Sequence, residues 1–237
     1  MYVDTVVTKR RGFVIFAFLL SKALQEIQLT SLAIPYRIAS MHVLKKLSVP
    51  MILSPLAGVS SFPFRMLNRK FGCECAFTEM INARSLSYSN KKTFKMLHTS
   101  SSDRPLGVQL LGKDPYFIVR SLEKLQEYEF DILDFNAACP IKKVTNKGKG
   151  ASLLKNPKEL NYLLKFIVKN SKVPVTVKMR LGWDSASSAR DIALYAEDAG
   201  IKAVFLHGRT KVQGYSGTVD YESIGKVKKA LSIPLIA

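Results

Sequence analysis

Cysteine is scarce in this 237-residue chain, which contains only Cys73, Cys75 and Cys139. A small disulfide-stapled secreted domain needs an even and denser set of cysteines, so the sequence excludes that class and favours a reducing, cytoplasmic setting. Cys73 and Cys75 have no second Cys/His pair near them, and a structural zinc site needs four ligands. We therefore predict no metal site and interpret these two thiols as buried.

Long hydrophobic runs are also missing. The longest run, residues 13–20, falls far short of the roughly 20 apolar residues that a membrane-spanning helix requires. It follows Lys9-Arg10-Arg11 and so imitates a signal peptide, but no convincing small-residue cleavage site comes after it. Residues 1–44 fit no domain pattern, so we treat them as an N-terminal extension of unclear origin, outside the native fold. The predicted domain covers residues 45–237, and no membrane partner is expected.

Acidic residues are few, since 18 Asp and Glu stand against 36 Lys and Arg and leave a net charge of +18. This excess favours polyanionic partners such as nucleic acid, because clustered cations steer and neutralise phosphate groups. A basic surface that binds nothing is the alternative. The hydrophobic fraction of 47% is that of an ordinary globular protein that can bury a core.

From about residue 50, short apolar runs alternate with longer segments of helical period. The apolar runs predict strands at residues 51–54, 75–79, 106–110, 132–135, 173–178, 203–207 and 233–236. The amphipathic segments predict helices, among them residues 116–128, 157–171 and 189–199. Seven such repeats favour an α/β fold of the (β/α)8 TIM-barrel type, with a doubly wound open sheet as the alternative. Because the sequence ends with the seventh strand, we expect an incomplete barrel that lacks its eighth strand.

Polar side chains are concentrated towards the carboxyl ends of these predicted strands, where barrels of this kind carry their active sites. They are Gln109, Asp134, Asn136, Lys178, Arg180 and His207. Alternation along the strand puts Thr176, Lys178 and Arg180 on one side, and two cations inside a barrel would require an anionic or electron-rich ligand. The alternative is that both cations lie at an exposed strand tip and meet carboxylates. The donors and acceptors together suit a planar heterocycle with carbonyl and ring-nitrogen edges.

Cys139 directly follows the fourth predicted strand and is followed by Pro140. The loop after it is cationic and contains Lys142, Lys143, Lys147 and Lys149. Lysines near a thiol lower its pKa, and they can also hold phosphates. We therefore predict a lowered pKa for the Cys139 thiol, with an inert core thiol beside a solvated run of charge as the alternative.

Together these motifs resemble the tRNA-dihydrouridine synthase family from about residue 49 to the end of the sequence. The resemblance is carried by residues 54–59, 62–65, 77–80, 108–110, 136–144, 177–180 and 207–210. Each segment is weak alone, but the set is specific in this order and spacing. One departure is Ala138, where the family usually has glycine, a residue with more backbone freedom.

The resemblance implies a monomeric FMN enzyme that NADPH reduces and that acts on uridine in tRNA. Cys139 would be the catalytic general acid, which protonates uracil C5 while reduced FMN gives hydride to C6. The implied cofactor-binding residues are Pro55, Leu56, Ala57, Gln109, Lys178 and His207. The implied substrate-binding residues are Asn136, Arg180, Lys142 and Lys143.

In this family the phosphate-binding segments follow the seventh and eighth strands, and a helical tRNA-binding domain comes after them. The resemblance therefore leads us to expect that this sequence lacks most of that region and binds FMN poorly by itself. Two other functions stay open. One is a related flavin barrel that acts on a free pyrimidine, as dihydroorotate dehydrogenases do, although this offers no reason for the +18 charge. The other is an inactive RNA-binding fragment.

Overall fold

The computed structural model describes residues 51–237 and the backbone of two short strands nearer the N-terminus. The two strands, Lys9–Arg10 and Phe13–Val14, pair antiparallel in a unit that covers residues 1–35. A second unit covers residues 36–237 and is described separately below. The predicted domain boundary at residue 44 lies outside the described residues.

One parallel sheet organises the second unit. Its strands are Ile52–Leu53 (β1), Cys75–Phe77 (β2), Ile81–Asn82 (β3), Leu106–Leu111 (β4), Ile132–Ala137 (β5), Val175–Arg180 (β6), Val204–His207 (β7) and Leu235–Ile236 (β8). They lie in the order β8-β7-β6-β5-β4-β2-β1, and β3 also pairs with β4, beyond β2. All these pairs are parallel. Each of the seven predicted strands overlaps an observed strand, so the predicted positions are confirmed.

Helices fill the connections between the strands. They are Phe62–Lys70 (α1), Ala83–Ser87 (α2), Lys91–Lys95 (α3), Pro115–Leu125 (α4), Lys142–Thr145 (α5), Pro157–Asn170 (α6), Ala189–Asp198 (α7) and Tyr221–Ala230 (α8), with a 3-10 helix at Gly150–Lys155. Asn or Asp side chains cap five of them by accepting backbone N–H bonds. Proline occupies the first turn of α4 and α6, where no N–H partner is lost. The three helices predicted above correspond to α4, α6 and α7.

A contact across the sheet decides between a barrel and an open sheet. Phe77 on β2 and Phe205 on β7 meet edge to face, with ring centroids 5.2 Å apart. Adjacent strands lie about 4.8 Å apart, so four steps along a flat sheet would separate β2 from β7 by about 19 Å. The sheet therefore curls round on itself. This confirms the incomplete (β/α)8 barrel and argues against the doubly wound alternative.

Side chains alternate between the barrel interior and the helices. Leu133, Phe135, Val177 and Met179 face outward and join the main core with the helices. The interior near the amino ends of the strands is apolar, and it is built from Cys75, Phe77, Ile132 and Phe205. Gly107 makes room there, because a Cβ at this position would lie 2.1 Å from the Phe77 ring. Towards the carboxyl ends of the strands the interior becomes polar.

Candidate active site at the barrel mouth

The polar layer begins with three residues that lie side by side on β4, β5 and β6. Gln109 pairs in register with Asp134, and Asp134 pairs with Thr176. The Asp134 carboxylate accepts hydrogen bonds from Gln109 Nε2 and from Thr176 Oγ1, both at 2.7 Å. All three residues are buried. Burial raises the pKa of Asp134 to about 6, although the two hydrogen bonds and Lys178 act in the opposite direction.

Asn136 connects this layer to the loop that carries Cys139. Its Nδ2 donates to Gln109 Oε1 at 2.8 Å. Its Oδ1 accepts from the backbone N–H groups of Ala138, at 3.1 Å, and Cys139, at 2.9 Å. The predicted residues Gln109, Asn136 and Cys139 therefore belong to one continuous hydrogen-bonded chain.

The thiol of Cys139 has a raised pKa, so the predicted lowering is wrong. Burial is the largest cause, and it outweighs the opposing effects of a backbone hydrogen bond at Ile141 and of the Arg180 charge. Lys142 and Lys143 begin α5 and are exposed, and neither contributes to the shift. The lysines follow the thiol in sequence but remain in solvent, where water screens their charge.

Lys178 pairs in register with Asn136 on the neighbouring strand, and its side chain is partly buried. Within residues 51–237 it forms no hydrogen bond or ion pair, and the nearby Asp134 carboxylate accepts from Gln109 and Thr176 instead. Burial lowers the pKa of Lys178, the Asp134 charge raises it and the Arg180 charge lowers it further. The ammonium group thus lacks a direct counter-ion in the described part of the chain.

Arg180 is 1% exposed, and its guanidinium joins two loops. Nε donates to the Ala138 carbonyl at 2.8 Å, and Nη1 donates to the carbonyls of Thr210 at 3.0 Å and Gly214 at 2.7 Å. The guanidinium carbon also lies 5.4 Å from the centroid of the Tyr215 ring. Of the two interpretations above, the exposed strand tip with carboxylate partners is wrong for Arg180, because the residue is buried and its partners are main-chain carbonyls.

His207 ends β7 beside these cations. Burial and the charges of Arg180, Lys178 and Arg209 lower its pKa to about 4, so the imidazole is neutral at neutral pH. Arg209 Nη1 lies 3.3 Å from His207 Nε2. Since a guanidinium can only donate, Nε2 accepts and the ring proton resides on Nδ1.

Pro55, Leu56 and Ala57 follow β1 at the same end of the sheet. Leu56 N donates to Ser60 Oγ at 2.9 Å, and Val59 N donates to the Leu56 carbonyl at 3.0 Å. Gly58 takes a φ of +75°, which favours glycine, and its N–H donates to Glu79 after β2. The turn leaves Leu56 44% exposed. No hydrogen bond joins this apolar turn to the Gln109–Cys139 chain within the described residues.

Three residues that shape this site were not assigned from the sequence as catalytic, cofactor-binding or substrate-binding residues. Asp134 anchors the polar layer, Glu79 holds the turn after β1, and Tyr215 lies over Arg180. Asp134 is among the polar residues found towards the carboxyl ends of the predicted strands, and alternation places it on the same face of its strand as Asn136, two residues away. The described residues hold no group of three or more His, Cys, Asp or Glu that could bind a metal. The same part of the chain has no helix long and apolar enough to cross a membrane.

Known proteins match this chain over the same region. The sequence model of the dihydrouridine synthase (Dus) family matches residues 52–237. A probable tRNA-dihydrouridine synthase of Rhizobium leguminosarum bv. phaseoli is 38% identical over 187 residues, which cover 78% of this chain and 59% of the relative. The tRNA-dihydrouridine synthase B of Vibrio parahaemolyticus is 41% identical over 189 residues, covering 79% and 58% respectively.

The chain therefore spans less than two thirds of the length of these relatives. Among solved structures, a 2,3-dimethylmalate lyase of the PEP mutase/isocitrate lyase superfamily aligns with a TM-score of 0.51 at 11% identity. That alignment covers 82% of this chain and 66% of the lyase, and it bears on the fold alone. With the family match over most of its length and relatives near 40% identity, the chain belongs to the dihydrouridine synthase family.

Proposed function

We propose that the protein is a tRNA-dihydrouridine synthase, in which residues 45–237 form part of the catalytic barrel. It would reduce the C5–C6 double bond of specific uridines in tRNA, with FMN as cofactor and NADPH as reductant. The observation that carries the proposal is the hydrogen-bonded chain from Gln109 through Asn136 to the backbone of Cys139. Lys178 lies on the next strand and has no direct counter-ion among the described residues. The names of the relatives support the same activity.

The donors at the barrel mouth fit the polar edge of a flavin. Lys178 has no direct counter-ion in the described part of the chain, Gln109 has one amide N–H left, and neutral His207 has its Nδ1–H. The exposed apolar turn at residues 55–57 offers a surface for a planar ring. FMN, when bound and reduced, supplies the hydride for uracil C6. A cation such as Lys178 stabilises negative charge on the reduced ring.

Cys139 supplies the proton in this proposal. Its raised pKa keeps the thiol protonated at neutral pH, which a general acid requires before it reacts. The S–H bond breaks as a C–H bond forms at uracil C5, so hydride at C6 and proton at C5 together reduce the double bond. The thiolate that remains lies within the field of Arg180, whose charge lowers the pKa of Cys139 and so favours its ionised form.

Asn136 and Arg180 would hold the target base. Both lone pairs of Asn136 Oδ1 are taken by backbone N–H groups, so the free polar group on this amide is one N–H. It can therefore donate to a uracil carbonyl oxygen but cannot accept from the ring N–H. Arg180 stabilises the loop beside this base site, because its Nε donates to the Ala138 carbonyl.

A cluster of cations beside the mouth would bind the tRNA backbone. Arg84, Lys113, Lys147 and Lys149 follow the carboxyl ends of β3, β4 and β5. Lys113 lies across Gly148, where an added Cβ would be 2.8 Å from its Nζ. Burial and the charges of Lys147 and Arg84 lower the pKa of Lys149, whereas one carboxylate, Asp114, opposes this. Phosphate groups would relieve the mutual repulsion of these cations. The exposed Lys142 and Lys143 extend the cationic surface.

The experiment compares two substrates with the purified full-length protein, FMN and NADPH. We expect dihydrouridine to form in tRNA and no NADPH to be consumed with orotate or free uracil. Cys139→Ala should bind flavin normally but lose nearly all activity, and Cys73→Ala is the matched control because Cys73 hydrogen bonds to Cys75 away from the mouth. Turnover of a free pyrimidine without any on tRNA would instead favour a flavin barrel of the dihydroorotate dehydrogenase kind.

A further inference from the structure

The hydrogen bonds that connect Cys139 to the barrel interior all run in one direction. Backbone N–H groups of Ala138 and Cys139 donate to Asn136 Oδ1, and Asn136 Nδ2 donates to Gln109 Oε1. Gln109 Nε2 then donates to Asp134 Oδ2 at 2.7 Å. We call this series of side chains, Asn136, Gln109 and Asp134, the amide relay. It begins at the loop of the proposed acid and ends at a carboxylate that is 1% exposed.

Both ends of the amide relay enforce the same orientation. If the Gln109 amide turned over, its oxygen would face the Asp134 carboxylate, and two acceptors would repel each other. If the Asn136 amide turned over, its NH₂ group would face two peptide N–H donors. A side-chain amide in water has no such preference, since water can donate to its oxygen and accept from its NH₂ group in either orientation. The Asp134 carboxylate therefore determines whether the Gln109 and Asn136 amides turn their oxygen or their NH₂ group towards each neighbour, although Asn136 forms no hydrogen bond with Asp134.

Asp134 is suited to this task because the fold holds it in place from the other side. Thr176 Oγ1 donates to Asp134 Oδ1 at 2.7 Å, so each carboxylate oxygen has its own donor. The strand register brings Gln109, Asp134 and Thr176 to the same level, which leaves the carboxylate little freedom to rotate. No atom of Asp134 needs to meet substrate or cofactor for this effect.

We propose that Asp134 is a positioning residue that acts through Gln109 and Asn136 to hold the Cys139 loop in its reactive geometry. Its effect on catalysis rests on the proposed function, since Cys139 must be the acid for its position to matter. Its effect on the loop does not rest on that function. The two effects therefore need separate measurements.

The first measurement is the alkylation rate of Cys139 by iodoacetamide, followed by mass spectrometry on the full-length protein. Asp134→Val removes the acceptor for Gln109, so the loop should open more often and Cys139 should react about three- to tenfold faster, the range that one lost hydrogen bond allows. Cys73 is an internal control in every variant, because it lies before β2, away from the relay. Its rate should stay unchanged unless the whole protein unfolds.

Two conservative variants separate the relay from general loosening of the layer. Asp134→Asn keeps an acceptor for Gln109, while its amide can donate to the Thr176 hydroxyl, so the Cys139 rate should stay near that of the wild type. Thr176→Val removes the hydrogen bond that holds the carboxylate from the other side but leaves the acceptor for Gln109, so it should accelerate the Cys139 reaction less than Asp134→Val does. If either variant reacts as fast as Asp134→Val, the proposal is overturned.

The second measurement is steady-state turnover of tRNA. Asp134→Val should lower kcat by about 10- to 100-fold, the cost expected when a reactive group is displaced by a fraction of an ångström to one ångström. The KM for tRNA should change less than about twofold, because the cations proposed to bind the RNA backbone lie outside the relay. Asp134→Asn should restore most of kcat. A higher KM with an unchanged kcat would contradict a positioning role.

If Asp134→Val does not fold, Gln109→Met cuts the relay at its next link and should accelerate Cys139 alkylation by the same factor. Unchanged alkylation in a folded Asp134→Val or Gln109→Met protein overturns the proposal. If the wild-type protein forms no dihydrouridine, the proposed function fails, yet the alkylation rates still decide whether Asp134 holds the loop.

Discussion

Arg180 provides a stability test that follows directly from its hydrogen bonds. Its guanidinium makes three bonds to main-chain carbonyls of two loops, and the residue is 1% exposed. In Arg180→Lys the charge is kept, but an ammonium group cannot reproduce the planar fork that reaches Ala138 on one side and Thr210 on the other. We expect at least one or two of these carbonyls to lose their donor.

The size of the effect follows from the number of bonds lost. A hydrogen bond to a charged group contributes about 1.5–3 kcal/mol, and a buried group left unsatisfied costs about 1–3 kcal/mol. Arg180→Lys should therefore lower the free energy of unfolding by about 2–5 kcal/mol. Most domains have only about 5–15 kcal/mol of stability, so a loss of this size is readily measured.

Urea unfolding monitored by circular dichroism and Trp183 fluorescence measures this difference. Arg190→Lys is the matched control, because Arg190 lies on α7 with its side chain 61% exposed beside Asp191. That variant should change the free energy of unfolding by less than about 0.5 kcal/mol. Equal stability of Arg180→Lys and the wild type would refute the reasoning, since the three carbonyls would then not depend on the guanidinium.

Three further predictions concern the thiol, the cation and the packing of the interior. Cys139 should be alkylated with a pH midpoint above that of a free cysteine, because burial raises its pKa; a midpoint below that of a small-molecule thiol measured in parallel would show that the lysines dominate after all. Lys178→Met should weaken flavin binding or slow flavin reduction by NADPH by about tenfold or more, since it removes a cation proposed to lie beside the ring; unchanged flavin titration and reduction rates would remove Lys178 from the cofactor site. Gly107→Ala should destabilise the fold by about 1–3 kcal/mol, because the new methyl group meets the Phe77 ring at 2.1 Å. Gly225→Ala on α8, where nothing lies within 4 Å, should instead be neutral or stabilise by about 0.5–1 kcal/mol, and thermal unfolding of the pair tests the packing argument.

Much of the fold follows from local sequence pattern. Apolar runs of four to six residues between amphipathic segments specify buried parallel strands, and alternation on β6 correctly separates Val177 and Met179 from Lys178 and Arg180. The two-residue strand β3 and the short helices α2 and α3 were not predicted, because elements of that length carry little periodicity. Their positions depend on pairing with β4 and on contacts that are distant in sequence.

The electrostatics of the site were harder to predict. Proximity in sequence predicted that lysines would lower the pKa of Cys139, but the fold buries the thiol and leaves Lys142 and Lys143 in solvent. Arg180 also gained a structural task that pattern could not reveal, because its partners are main-chain carbonyls on loops far along the chain. The pKa of Cys139 depends on burial, and the role of Arg180 depends on partners that are distant in sequence. Both are properties of the folded chain.

Dihydrouridine in tRNA tests the central claim most directly. Transfer RNA from cells that lack the gene would be incubated with the purified full-length protein, FMN and NADPH, and dihydrouridine at each position would be measured by mass spectrometry. We predict that the wild-type protein restores dihydrouridine at a defined set of positions and that Cys139→Ala, loaded with flavin, restores almost none. Full restoration by Cys139→Ala would contradict the assignment of the acid. Complete absence of dihydrouridine with a flavin-loaded wild-type protein would contradict the proposed function itself.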